Sequence, residues 1–189
     1  MMDFKENIRE LTEILSGLEA SLQPAWGEAV DAVCRSLRAG GKMLVFGNGG
    51  SAAEAQHFVA ELVNKFLMKR PAIRAISLTT DTSILTSVGN DLAFDQIFSR
   101  QVEALAAKGD IALALSTSGT SPNILRAVEA ARNMEVLTVA LTGLGGGSLA
   151  GAVDYLLAVP SANTPRIQEA HLFLLHRLAW EVERRLFEL

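Results

Sequence analysis

The 189 residues are 49% hydrophobic and 20% charged, which excludes a disordered or low-complexity chain and suffices for one buried core. A formal net charge of −4 leaves no basic footprint for nucleic acid, and no apolar run reaches membrane-spanning length. The single cysteine, Cys34, permits no internal disulfide, and no charged-then-apolar leader precedes the first element, so the expected location is the cytoplasm.

Residues 3–22 place Ile8, Leu11, Leu15, Leu18 and Leu22 at helical spacing among charged residues. Pro24 favours a new helix start, and the second helix runs to about Arg38, where Gly40-Gly41 stops it. Cys34 lies on that helix between Val33 and Leu37 and reads as a small core side chain. Residues 1–40 are thus an N-terminal helix pair whose apolar faces are candidates for subunit packing.

From residue 42 the pattern alternates. Short apolar runs at Met43–Phe46, Ile73–Leu78, Ile111–Leu115, Val136–Leu141 and Tyr155–Val159 read as strands. Helical stretches lie near 52–66, 82–107 (broken around Gly89-Asn90-Asp91), 122–133 and 166–187. Uninterrupted apolar strands separated by helices predict a five-stranded parallel sheet covered on both faces, a three-layer αβα sandwich. Residues 41–189 form this α/β core, and the whole chain, 1–189, is one domain. Lys65, Lys69 and Arg70 make the only small basic cluster and read as a solvated helix end, with an anion contact as the alternative.

The first strand runs into Gly47-Asn48-Gly49-Gly50-Ser51 with a helix directly after it. The third runs into Ser116-Thr117-Ser118-Gly119-Thr120-Ser121, and Pro122 opens the next helix with Ser121 as its cap. Glycines let a ligand approach the backbone, and a helix N-terminus offers N–H groups and partial positive charge to an anion. Five hydroxyls in six residues exceed what capping needs and suit a phosphate monoester. Neither loop carries the Gly-x-x-x-x-Gly-Lys-Ser/Thr motif or the third spaced glycine of a dinucleotide fingerprint, so a small phosphorylated metabolite fits better than ATP or NAD. The Gly143–Gly147 stretch reads as a flexible connector without chemistry.

His57 and Glu61 are four apart and share a helix face; Gln168 and His176 are eight apart, roughly 80° around the last helix. Two helices could converge these four side chains to bind zinc or handle protons, although spacing alone does not derive a metal. A helix-surface pair is the plainer reading of His57 and Glu61. His171, amid apolar neighbours, reads as a packed histidine.

The N-terminal helix pair, Gly47-Asn48-Gly49-Gly50-Ser51, Gln56-His57-Phe58, Val88-Gly89-Asn90-Asp91, Ser116-Thr117-Ser118-Gly119 and Arg166-Ile167-Gln168-Glu169 followed by His176 resemble the sugar isomerase (SIS) domain family, and within it the phosphoheptose isomerases. That resemblance covers nearly the whole chain. It implies a flavodoxin-like SIS fold and conversion of sedoheptulose 7-phosphate to D-glycero-D-manno-heptose 7-phosphate, the first step toward ADP-heptose and the lipopolysaccharide core. It further implies a homotetramer with sites between subunits and one zinc per subunit on His57, Glu61, Gln168 and His176. Substrate contacts would fall on Asn48, Gly49, Gly50, Ser51, Glu61, Asn90, Asp91, Ser116, Thr117, Ser118, Ser121 and Gln168, with Glu61 and His176 as the acid/base pair. Lys65 stands where relatives often carry arginine and Pro165 where some carry an acid, departures that touch substrate preference. The alternative is a non-catalytic SIS protein that binds a replication-initiator-type partner; the presence of both Glu61 and His176 favours the enzyme.

Overall fold

A computed structural model describes residues 3–187. Five strands, β1 (Met43–Gly47), β2 (Ala75–Ser77), β3 (Ile111–Ser116), β4 (Leu137–Thr142) and β5 (Tyr155–Ala158), form one all-parallel sheet in the order β2-β1-β3-β4-β5. Among the described residues the α-helices are α1 (Phe4–Leu22), α2 (Ala25–Arg38), α3 (Gly50–Val63), α4 (Thr82–Asp91), α5 (Ser99–Leu105), α6 (Pro122–Asn133) and α7 (Thr164–Phe187).

The apolar strand runs are explained by burial on both faces. Every residue of β1 and β3 is buried, and successive side chains go to opposite faces. Met43 and Val45 join one core with Leu113, Phe58, Leu175 and the apolar sides of α1 and α2. Leu44 and Phe46 join the other with Ala112, Phe98, Ile124 and Val128. Helices α1, α2, α3 and α7 therefore cover one face, and α5 and α6 the other.

The N-terminal helix pair is part of that first layer. Leu18, Leu22, Val30, Val33 and Cys34 are all buried in it, so Cys34 is the core side chain expected. Arg166 ties α1 to the start of α7, donating to the Asn7 carbonyl at 2.8 Å and pairing with Glu169 at 2.9 Å. Phe4 and Ile8 on α1 stay exposed.

Some boundaries differ from the sequence reading. β2 is only three residues long, because the Ile73 N–H bonds back to the Leu62 carbonyl at 3.1 Å instead of joining the ladder. The stretch 82–107 divides just after Gly89-Asn90-Asp91, where a short 3-10 turn at Phe94–Gln96 separates α4 from α5. Helix α3 begins at Gly50, inside the glycine loop. No helix among the described residues is long and apolar enough to cross a membrane.

Strand order fixes where a ligand can sit. The chain leaves β1 outward to β2 and then returns past β1 to β3, so the crossovers diverge between β1 and β3. A parallel sheet opens a crevice at the C-terminal ends of such strands. Gly47 lies opposite Leu115, so the two polar loops start side by side at that crevice.

Candidate active site

Helices α3 and α7 run alongside each other in the same sense, and their contacts recur at matched levels. At the first level, a Cβ on Gly50 would lie 2.5 Å from the Gln168 amide nitrogen, so any side chain there would displace the Gln168 amide. At the second, His57 Nε2 lies 2.8 Å from His176 Nε2, with the rings edge to face at 5.1 Å. Glu61 Oε1 stands 3.6 Å from His57 Nε2, one turn further along. At the third level, just past the end of α3, the Phe66 N–H reaches Glu183 at 2.8 Å. The Phe66 ring also stacks on His176 at 5.4 Å and 20°.

Three of the four predicted helix residues, His57, Glu61 and His176, are therefore brought together. Gln168 lies at the neighbouring level against Gly50, with no hydrogen bond to the other three among the described residues. His57 is exposed, and Glu61 and His176 are partly buried. A 2.8 Å contact between two imidazole nitrogens requires one ring to donate its proton to the other's lone pair.

The two loops are joined by a reciprocal amide pair. Asn48 Nδ2 donates to Asn123 Oδ1 at 2.9 Å, and Asn123 Nδ2 donates to Asn48 Oδ1 at 2.8 Å. Gly49 has φ +57° and opens directly into the N-terminus of α3. Ser116 Oγ accepts the Gly119 N–H at 3.2 Å, and Ser118 Oγ accepts the Thr120 N–H and hydroxyl at 3.2 and 3.1 Å. Both serines accept in these bonds, which leaves their own protons to donate. Ser121 occupies the cap position of α6 but makes no capping hydrogen bond, contrary to the sequence reading, so its hydroxyl is also available. Asn90 and Asp91 stand apart at the exposed end of α4, where Asn90 Nδ2 donates to Asp91 Oδ1 at 2.7 Å.

A SIS domain family model matches residues 6–143. A phosphoheptose isomerase of Geobacter sp. (strain M21) is 52% identical over 185 residues, covering 98% of this chain and 96% of that protein. The chain belongs to the SIS domain family, among the phosphoheptose isomerases. Solved phosphoheptose isomerases carry the same fold. That of Neisseria gonorrhoeae is 40% identical with a TM-score of 0.88, covering 94% of this chain and 95% of its own. That of Francisella tularensis is 42% identical with a TM-score of 0.87, covering 97% and 100%.

Within this SIS domain, two segments differ from the sequence reading. Gly143–Gly147 is not a flexible connector. The Gly143 N–H donates to the Thr117 carbonyl at 3.0 Å, and the Leu149 N–H donates to the Gly119 carbonyl at 3.1 Å. A Cβ on Gly143 would lie 2.6 Å from the Thr117 oxygen, and one on Gly147 would lie 2.5 Å from the Ser118 oxygen. The two loops interlock backbone to backbone, and side chains would force them apart. The basic cluster is also divided: Lys65 and Lys69 are exposed as a solvated helix end requires, whereas the Arg70 side chain is 2% exposed and makes the alternative, an anion contact, with Glu183 of the same chain.

Sequence reasoning passed over Glu54. It lies three residues after Ser51, three before His57 and seven before Glu61, which puts it on the face of α3 that carries the site. Burial pushes its carboxyl up to about 7, against a Ser51 hydrogen bond that lowers it, and Oε2 has no partner. The i, i+3, i+7 spacing was the available signal. Asn123 was hidden behind the proline that opens α6. His171 is the packed histidine expected: fully buried, with Nε2–H donating to the Thr142 carbonyl at 3.1 Å and burial lowering its pKa to about 4.

Among the described residues, no three His, Cys, Asp or Glu side chains already stand in a metal-ligating arrangement. His57 lies within 2.8 Å of His176 and 3.6 Å of Glu61. Their 2.8 and 3.6 Å separations bracket the roughly 3.3 Å between donors around a tetrahedral zinc with bonds of about 2.0–2.1 Å.

Proposed function

We propose that this chain interconverts sedoheptulose 7-phosphate and D-glycero-D-manno-heptose 7-phosphate in the cytoplasm, opening the route to ADP-heptose and the lipopolysaccharide core. The observation that carries the reading is the convergence of His57, Glu61 and His176 two turns along α3 from a pair of phosphate-type loops. Six residues separate Ser51 from His57, about 9 Å along the helix. An extended sugar phosphate held by its ester at one end places its carbonyl carbons near the three side chains.

In this reading the phosphate binds between the N-termini of α3 and α6. Backbone N–H groups of Gly49 and Gly50 and the hydroxyls of Ser51, Ser116, Thr117, Ser118 and Ser121 bear on it, with Asn48 holding the loops together. Gln168 contacts the sugar chain. Glu61 and His176 form the acid/base pair: one removes a proton from C1 to give an enediol(ate), the other delivers a proton to C2, and a hydroxyl proton passes between the two oxygens. The nitrogen and oxygen donors of His57, Glu61, Gln168 and His176 fit zinc, with the His57–His176 contact opening by about half an ångström. When bound, zinc supplies positive charge that polarises the substrate carbonyl.

Among the described residues, the Asn90 and Asp91 side chains hydrogen-bond only to each other. Exposed apolar side chains lie nearby at Leu92 and Phe94, and also at Phe4, Ile8, Leu172 and Phe173. This supports a homotetramer in which Asn90 and Asp91 meet a site completed by another subunit. Incubating the purified protein with sedoheptulose 7-phosphate, with and without a chelator, tests the reading. Aldose forms in the untreated sample if it holds; no aldose in either sample overturns it in favour of a partner-binding SIS protein.

A further inference from the structure

Glu183 lies seven residues beyond His176 on α7, on the same face and one level further along. Its side chain is 1% exposed. The carboxylate accepts the backbone N–H groups of Phe66, Leu67 and Met68 at 2.8, 2.9 and 3.0 Å, and Arg70 Nε at 3.0 Å. Arg70 continues the chain of contacts, with Nη1 donating to the Leu62 carbonyl and Nη2 to the Glu61 carbonyl, each at 2.7 Å. Burial alone would push the Glu183 carboxyl upward; the three backbone donors and Arg70 outweigh it and hold it below the ordinary carboxylate range.

The orphan carbonyls at a helix C-terminus are ordinarily met by a glycine turn or by water. Here the Arg70 guanidinium, fastened to Glu183 on α7, meets the Glu61 carbonyl and shares the Leu62 carbonyl with the Ile73 N–H, which ties the end of α3 to α7. The backbone of Glu61 is held directly. Phe66, held by its own N–H, lays its ring on His176. Removing one partner of such a buried pair is strongly destabilising, so a test of position has to be read apart from a loss of fold.

We propose that Glu183, Arg70 and Phe66 are positioning residues that set the separation between Glu61 and His176. The inference rests on reading those two as the proton-transfer pair. A misplacement of about 1 Å between reacting groups costs on the order of 10²-fold in rate.

The test uses the full-length protein with Phe66→Leu, Phe66→Tyr and Glu183→Gln, sedoheptulose 7-phosphate as substrate and inorganic phosphate as competitor. Phe66→Leu and Glu183→Gln lower kcat by roughly 10- to 100-fold with KM and phosphate inhibition nearly unchanged, and Phe66→Tyr restores kcat. Labelled histidine ring signals in NMR supply a second readout, since the chain has three histidines. Glu183→Gln moves the His176 signals in the same direction as Phe66→Leu, while those of buried His171 stay in place. Unchanged kcat in Phe66→Leu overturns the proposal, whether or not Glu183→Gln folds. So does a Glu183→Gln protein of reduced Tm whose His176 signals and kcat match the parent. Glu61→Gln separates the two levels: full activity there overturns the proton-transfer reading itself. An inactive Glu61→Gln beside fully active Phe66→Leu and Glu183→Gln removes only the clamp.

Discussion

His57 and His176, 119 residues apart, bring their Nε2 atoms to 2.8 Å. The contact exists because α3 and α7 lie parallel and keep step. Gly50 meets Gln168 before it, and the segment after α3 meets Glu183 beyond it. The site is a property of this helix pair, with Glu61 one turn from His57 completing the cluster.

Replacing Glu61 with glutamine keeps the side chain's shape and removes its basicity. Turnover of sedoheptulose 7-phosphate is expected to fall by about 10²- to 10⁴-fold, the usual worth of a positioned acid or base. The far-UV spectrum and inorganic phosphate binding should be unchanged. Steady-state kinetics alongside phosphate titration checks this, and full activity would exclude Glu61 as a proton-transfer group.

The interlocked loops predict a KM effect from a residue outside the proposed substrate contacts. In Gly147→Ala the added methyl meets the Ser118 carbonyl and pushes on the phosphate loop. Overpacking of about 1–3 kcal/mol corresponds to roughly 5- to 150-fold in KM. Gly145→Ala is the control, since Gly145 also has positive φ but open space around its Cβ. Equal KM values for the two variants would remove the loop from the explanation.

Asn123 sits 2% exposed beneath the crevice and bonds only through its amide. Asn123→Ala strands the Asn48 amide, at a cost of about 1–3 kcal/mol. The two loops lose their tie, so substrate KM should rise more than kcat falls. An unchanged inhibition constant for inorganic phosphate would show that the loops hold their spacing without it.

Glu54 and His171 act on stability with opposite sign. The raised Glu54 pKa means the folded state binds the extra proton. Its favourable contribution is complete below about 4.5 and lost as pH rises through about 7. The lowered His171 pKa means the unfolded state takes up a proton first, so stability falls as pH drops from about 6.5 to about 4. The His171 effect is on the order of 3 kcal/mol; that of Glu54, which is only partly buried, is smaller because solvent screens it. They oppose each other between pH 4.5 and 6.5, so the parent's stability should vary less with pH there than that of either variant. Glu54→Gln should lose stability on acidification and gain it at pH 8, and His171→Gln should show the reverse slope in acid. Denaturation at fixed protein concentration across pH 4.5–8 checks both, and a Glu54→Gln profile parallel to the parent's would contradict the assignment.

Much of the fold was legible because it depends on local periodicity. Runs such as Met43–Phe46 and Ile111–Leu115 are apolar at every position because both faces of a central parallel strand are covered. The short β2 was overestimated because Ile73 and Leu78 are as apolar as strand residues; only the bond from Ile73 to Leu62 takes the chain out of the ladder. Four-residue spacing put His57 and Glu61 on one face, and the two polar loops were visible as clusters of glycine and hydroxyl residues.

By itself the sequence determined the alternation of strands and helices, the two loops at strand ends and the side chains available on α3 and α7, since each follows from the period of a single segment. Only the tertiary structure decided which of those side chains meet. Arg70 looked like a solvated cation until α7 supplied Glu183, and Gly143–Gly147 looked like slack chain until its neighbour proved to be the backbone of Thr117 and Ser118. Those outcomes depend on desolvation and on contacts across a hundred residues or, for the glycines, between loops of different strands. No local pattern encodes such meetings, because they depend on how the layers pack rather than on the period of any one segment.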